Sequence, residues 1–87
     1  MAGTFKFELV TPERMALSQD ATQVLVPGME GEFTVLPGHA PVMTALKTGV
    51  VIATNHRDNG ERVLVRGGFA EVNAAGVIVL AERGKDV

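Results

Sequence analysis

The chain is dominated by short segments in which apolar residues occupy every second position. In the stretch FKFEL, the apolar residues Phe5, Phe7 and Leu9 alternate with Lys6 and Glu8. This period places the apolar side chains on one face of a β-strand and the charged ones on the other. Similar β-branched segments follow at TQVLVP, EFTVLP, GVVIAT, RVLVRG and GVIVLA. The sequence therefore predicts an all-β protein in which no helix of normal length has room to form.

Turn-forming residues separate these segments. Asn59-Gly60 lies between VVIATNH and RVLVR, where it predicts a tight hairpin. Pro27-Gly28 and Pro37-Gly38 suit type II turns, and they would bracket a strand from which Phe33 points inward. Gly67-Gly68 predicts a bulge or a corner. Short strands at this spacing favour a sandwich or a barrel.

Length and composition limit the function classes that such a fold could serve. The 87 residues suffice for a single domain spanning residues 1–87. The net charge is -2 without any run of Lys or Arg along the chain, which argues against a nucleic-acid-binding protein. There is no cysteine, so a disulfide framework and thiolate metal sites are excluded. The lack of a signal-like segment or a long apolar run predicts an unexported protein without direct membrane insertion.

Several of the predicted strands are apolar on both faces. Leu25, Leu64 and Ile78 stand beside apolar neighbours in VLV, VLV and VIVL, whereas a strand with one solvated face should alternate. If part of this second set shares an outer surface, a partner should cover it. The alternative is that these side chains lie under loops or at sheet corners.

The candidate catalytic residues do not form a recognisable site. His39 and His56 lack the spacing of a metal site, and both fit surface positions at strand ends. Glu30 and Glu32 would share one strand face, but a domain of this size has little chain left to enclose a substrate between them. Ser18 is not in a nucleophile elbow. We therefore expect no catalysis and no cofactor, and we interpret these residues as turn chemistry or contact surface.

The string VPGMEGEFTVLPGHAPVMTALKTGVV, with FELVTPERMALS before it and GGFAEV and VIVLA after it, strongly resembles the N-terminal β-sandwich of the epsilon subunit of bacterial rotary ATP synthases. This subunit is called delta in mitochondria. The resemblance covers essentially the whole chain and implies a flattened two-sheet antiparallel β-sandwich. Thr48 departs from the family, in which LKPG is common at this turn.

The resemblance implies a non-catalytic subunit of the central stalk, or rotor, in a hetero-oligomeric complex. Such a subunit links gamma to the membrane c ring and couples proton flow to ATP synthesis. Its place would be peripheral, on the cytoplasmic face of the bacterial inner membrane or on the matrix or stroma side of an organellar one. The family's C-terminal helical hairpin is absent from this sequence, which ends in AERGKDV. The sequence is therefore either truncated or a short natural form, and inhibition and nucleotide sensing cannot be assigned to it.

The family also implies partner-binding residues. Glu30, Glu32 and the turn from Pro37 to His39 would lie toward the polar loops of the c ring or the adjoining part of gamma. Thr11, His39, Pro41 and Val42 would lie near gamma. Two other functions stay open: a free-standing peptide- or protein-binding sandwich that uses an exposed strand edge, and a small metal-dependent barrel enzyme that uses the two histidines.

Overall fold

The computed structural model describes residues 3–12, 16–38, 40–55 and 60–87. These residues form eight strands: β1 Phe5–Val10, β2 Ala16–Ala21, β3 Gln23–Gly28, β4 Gly31–Val35, β5 Val42–Ala45, β6 Gly49–Thr54, β7 Glu61–Asn73 and β8 Gly76–Asp86. The described residues include no helix, and accordingly none that is long and apolar enough to cross a membrane. The predicted all-β fold is confirmed.

The strands form one hydrogen-bonded sheet in the order β2-β1-β8-β7-β6-β3-β4, with β5 paired to β7. All neighbours are antiparallel except β1 and β8, which run parallel from Lys6↔Gly76 to Val10↔Leu80. The resemblance implied an antiparallel sandwich, and β1 with β8 is the parallel exception among the described strands. Its register sets Phe7 opposite Val77 and Leu9 opposite Val79, so that these four side chains share the face that is buried in the core.

The long strands β7 and β8 fold the sheet into two layers. In β7 the buried side chains are first Val63 and Val65 and then Ala70 and Val72, so the alternation reverses at Gly67-Gly68. The ladder to β8 keeps one register through this point, which makes the glycine pair a corner. The first layer holds β2, β1, the start of β8, the end of β7, and β5. The second layer holds the end of β8, the start of β7, β6, β3 and β4.

One core lies between the layers. Its buried side chains are mostly valine and include Phe7 and Leu9 from the first layer and Val24, Val26 and Val51 from the second. The shortest extent of the molecule is 18 Å, which fits two sheets about 10 Å apart with their outer side chains. Packing alone must stabilise a domain of this size, because no cysteine is available for a cross-link.

Two of the three predicted turns have outcomes in the described residues. Gly38 has a φ of 84° in the turn Pro37-Gly38, which is the conformation that a type II turn requires at its second central position. The prediction of a turn at Pro27-Gly28 is wrong, because these two residues are the last of β3 and the β3–β4 hairpin closes after the pair Gly28↔Gly31. A side chain at Gly28 would stand 2.9 Å from the Gly31 carbonyl oxygen, so this glycine allows close strand packing. The strands on either side of the predicted Asn59-Gly60 turn, β6 and β7, pair antiparallel. Asn59 itself lies outside the described residues.

The surplus apolar residues divide between the two layers. Leu25 pairs with Ile52 and Leu64 pairs with Val50 on the outer face of the second layer, and all four are half-buried. Ile78 lies on the outer face of the first layer, between Glu8 and Glu71. The three leucine and isoleucine residues therefore do not form one patch, and the most exposed apolar surface is made by other residues.

Candidate partner-binding surfaces

An exposed line of apolar side chains crosses four strands of the first layer. Val10 lies opposite Leu80, Leu80 opposite Phe69, and Phe69 opposite Ala45. Directly opposed residues share one face of a sheet, and the neighbouring residues Leu9, Val79 and Ala70 fill the core, so this line faces outward. The exposed fractions are 43% for Val10, 53% for Leu80 and 55% for Phe69. We name these four residues the apolar row.

Carboxylates flank the apolar row on both sides. Glu8 and Glu71 lie two residues away along their strands and stand on either side of Ile78. On the other side, Glu82 lies against Gly67, where its Oε1 would stand 2.8 Å from an added Cβ. The row spans three strand spacings, or about 14 Å. Its shape is that of an apolar contact surface with an acidic rim.

Thr11 lies at the end of the apolar row. A shallow concavity there is lined by Val10, Thr11 and Pro12 from the first strand and its exit, together with Phe69, Leu80 and Glu82. Thr11 is only 5% exposed, so it contributes to the wall of this concavity while most of its side chain is buried. The predicted partner residue Thr11 is therefore next to Phe69 and Leu80, two large exposed apolar side chains of this face.

Glu30, Glu32 and Val42 meet at a second surface, the open side of the sandwich between β4 and β5. They line one concavity with Gly31, Phe33 and Thr44. Both glutamates are exposed, and Val42 is 39% exposed although it faces the interior side of its strand. Phe33 is half-buried and packs against the core, as the predicted inward orientation requires. We name Glu30, Glu32 and Val42 the acidic edge.

Backbone hydrogen bonds close the two layers at one end of the acidic edge. The Met29 N–H donates to the Ala45 carbonyl oxygen at 2.9 Å, and the Lys47 N–H donates to the Pro27 carbonyl oxygen at 3.0 Å. An isolated bridge joins Gly28 to Leu46 between them. These contacts fix the β3–β4 hairpin that presents the two glutamates, so the carboxylates stand on an anchored turn.

The remaining predicted partner residues lie elsewhere. Pro41 is exposed and lines a third concavity with Phe5, Leu36 and Gly38, at the open end of the sandwich. His39 lies outside the described residues, as does His56. The structure thus brings Glu30, Glu32 and Val42 together at one concavity and places Thr11 at the apolar row. Pro41 precedes Val42 in the chain but lines the third concavity. That these residues bind partners stays a prediction.

No group of three His, Cys, Asp or Glu residues that could hold a metal ion occurs among the residues described. The described carboxylates of both surfaces are exposed or half-buried, without an enclosing cleft of the kind that two catalytic carboxylates need. What these surfaces can do chemically is to exclude water from apolar contacts and to attract cations.

Sequence reasoning missed Phe69 and Leu80 as surface residues. Each belongs to a segment that reads as core, GGFAEV and VIVLA. A signal was present, because Phe69 follows a glycine pair that reverses the alternation, so it faces outward although Val63 and Val65 at odd positions face inward. The outward orientation of Leu80 could have been predicted from the alternation along its strand, because Val77 and Val79 face the core.

The chain is similar in sequence to known proteins. The family described as the ATP synthase delta/epsilon chain, β-sandwich domain, matches residues 4–86. Proteins named ATP synthase epsilon chain are similar over 82 residues, at 50% identity in a Chelativorans species and 51% in Mesorhizobium japonicum. Each alignment covers 94% of this chain and 61% of the relative, so the chain spans about three fifths of their length.

Two solved structures share the fold. One is a mitochondrial ATP synthase from Euglena gracilis containing OSCP, F1 and the c-ring, with a TM-score of 0.86, 22% identity, and coverage of 99% of this chain and 55% of the other. The second is the central stalk and c-ring of the Tetrahymena thermophila mitochondrial ATP synthase, with a TM-score of 0.75, 16% identity, and coverage of 97% and 67%. At these identities the likeness establishes the fold.

Proposed function

The chain belongs to the β-sandwich family of ATP synthase delta and epsilon chains, and we propose that it acts as the β-sandwich part of a central-stalk subunit. In this role it joins gamma to the c ring and couples proton flow to ATP synthesis without catalysing a reaction itself. The names and titles of its relatives, which are epsilon chains and assemblies of F1, central stalk and c-ring, support this role.

The apolar row is the observation on which the proposal rests. Leu80 and Phe69 are more than half exposed in the middle of a sheet face, where an isolated domain would gain solubility from polar residues. A partner that covers them gains the hydrophobic free energy of the exposed part. We assign this surface, together with Thr11 at its end, to gamma.

We assign the two glutamates of the acidic edge to the c ring, and Val42 beside them to gamma. Glu30 lies at the tip of the β3–β4 hairpin and Glu32 follows on β4, both exposed, so they can meet basic side chains without large desolvation. An exposed ion pair contributes about 0.2–1 kcal/mol. Attachment at this edge is then weaker per residue than attachment at the apolar row, and it determines orientation more than affinity.

The mechanism of this subunit is mechanical. The apolar row lies on the first layer, whereas the two glutamates of the acidic edge are presented by the second layer, which is anchored to the first by the hydrogen bonds at Met29 and Lys47. Force applied at one surface reaches the other through the hydrogen-bonded sheet. The subunit works at the membrane surface, on the cytoplasmic side in bacteria, where the c ring meets the stalk.

Reversal of the acidic edge tests this function. In membranes that carry the complex, Glu30→Lys with Glu32→Lys should replace attraction by repulsion at the ring, so that ATP synthesis falls further than ATP hydrolysis. Circular dichroism of the variant should be unchanged, because both side chains are exposed. Asp20→Lys is a matched control for Glu32→Lys, since both acids are exposed on edge strands.

Unchanged synthesis, hydrolysis and ring attachment in the double variant would show that the two glutamates are solvated turn residues. An equal loss with Asp20→Lys and with the single variant Glu32→Lys, which change the charge by the same amount, would indicate an effect of net charge. The proposed stalk function itself fails if the wild-type chain does not co-purify with the membrane complex of its host.

A free-standing peptide-binding module is the second candidate, because β2, β4 and β5 each have only one strand partner among the described residues. An extended peptide could pair with such an edge. Saturable binding of peptides by the chain, with no preference for gamma, would favour this candidate.

A further inference from the structure

Four cations that are distant in sequence come together on two neighbouring strands. Arg62 and Arg66 lie on β7, Arg83 and Lys85 lie on β8, and all four are exposed. Arg66 is directly opposite Arg83, and Lys85 is directly opposite Leu64. We name these four residues the basic strip. Sequence reasoning found no cluster of Lys or Arg, because the cluster forms only when β7 pairs with β8.

The basic strip lies on the outer face of the second layer. Val63 and Val65 point into the core, so Arg62, Leu64 and Arg66 point away from it. The strip runs for about 13 Å along β7 and is two strands, or about 5 Å, wide. It therefore lies on the other layer from the apolar row, and only Glu82 of the acidic rim, at the corner beside Arg83, adjoins it.

Of the four cations of the strip, Arg83 already takes part in an interaction within the protein. Directly opposed like charges such as Arg66 and Arg83 destabilise a sheet. No ion pair to Arg62, Arg66 or Lys85 occurs within the described part of the chain. The whole chain has 8 basic and 10 acidic residues; without these four cations, 4 basic and 10 acidic residues remain, a net charge of -6. Positive charge is thus concentrated on one face of an otherwise acidic molecule.

We propose that the basic strip binds an acidic segment of a protein partner. Three of its four cations are arginines, whose planar guanidinium groups bind carboxylates through two parallel hydrogen bonds. Leu64, half-buried between them and paired with Val50, provides an apolar contact at the centre. An extended acidic segment with an occasional apolar residue fits this pattern of charge and shape.

The size of the strip favours a protein segment over a membrane or a nucleic acid. An anionic membrane or a nucleic acid carries negative charge far beyond the 13 Å length of the strip. That additional charge would repel the acidic remainder of this small domain. A short acidic segment confines its charge to the strip. This inference does not depend on the proposed stalk function, because it uses neither the apolar row nor the acidic edge.

A labelled short peptide of glutamate and leucine residues is the probe for this site, measured by fluorescence anisotropy with the intact chain. Arg66→Gln with Lys85→Gln should weaken its binding by about tenfold or more. The matched control is Lys6→Gln with Lys47→Gln, which removes the same charge from two other exposed positions and should change the affinity by less than about twofold. Raising the salt concentration should weaken wild-type binding.

Equal losses in the two double variants would overturn the proposal, because they would indicate attraction to net charge. Stronger binding of the wild type to phosphatidylcholine–phosphatidylserine vesicles or to a single-stranded oligonucleotide than to the peptide would also overturn it. If the double variant loses its β-sheet circular dichroism, the single variant Arg62→Gln is tested in its place. An unchanged peptide affinity in that folded variant would contradict binding by the basic strip.

Discussion

Leu80→Gln should weaken binding to gamma, while the same substitution at Leu36 should not. Leu80 is 53% exposed in the centre of the apolar row, and Leu36 is 51% exposed near the open end of the sandwich. The two positions share residue type and exposure and differ in location. They therefore separate the effect of this surface from the effect of removing an exposed leucine.

The magnitude follows from the exposed fraction. Fully burying a leucine side chain contributes about 1.5–3 kcal/mol. Since Leu80 is 53% exposed, a partner can still bury about half of it, which contributes about 0.8–1.6 kcal/mol. Losing this contribution lowers the affinity about 4- to 15-fold, and desolvating the amide of glutamine adds to the loss.

The assay is titration calorimetry of each variant against gamma, with thermal unfolding followed by circular dichroism. Both variants should lose a similar, small amount of stability, because a similar part of each leucine is buried in the domain. The affinity of the wild type should persist at moderate salt, since the row itself is uncharged. Equal binding by Leu80→Gln and the wild type, or an equal loss in Leu36→Gln, would refute the assignment of gamma to the apolar row.

Two predictions concern stability. Gln19→Met should raise the melting temperature, because the buried Gln19 Nε2 has no hydrogen-bond partner among the residues that the structure describes and such a group costs about 1–3 kcal/mol. An unchanged or lower melting temperature would show that the amide is hydrated. Gly68→Ala should lower the free energy of unfolding in urea by about 3 kcal/mol or more, since its φ is 118° and its Cβ would stand 2.1 Å from the Leu80 carbonyl oxygen. Gly38→Ala has a φ of 84°, but no atom of the described part of the chain lies within 4 Å of the added Cβ, so it should cost only about 1 kcal/mol. An equal cost at both glycines would contradict the role of the steric clash.

The local pattern predicted much of the fold. Alternation of Phe5, Phe7 and Leu9 with charged residues correctly indicated a half-buried first strand, because the period of a strand fixes which side chains share a face. The turn at Pro37-Gly38 was also predicted from a local property, because the backbone preferences of proline and glycine act over neighbouring residues. The turn at Pro27-Gly28 was wrong because both residues are held in β3, where tertiary packing outweighs that preference.

The candidate surfaces were predicted less completely. Glu30, Glu32 and Val42 were named as partner residues from the resemblance to a known family, and the structure brings these three together at one edge. Their spacing along the chain does not show this, because β4 and β5 approach each other only when the sheet folds over at the corner. Which partner they meet stays a prediction.

Alternation along a strand is a local property, so the residues of a segment were enough to assign inner and outer faces. Pairing between strands is not local, because it depends on which register buries the most apolar surface across the whole sheet. The apolar row needs Val10 beside Leu80, and the basic strip needs Arg66 beside Arg83. Each set of neighbours exists because the folded core positions β8 between β1 and β7, which brings distant residues of like character together on one face.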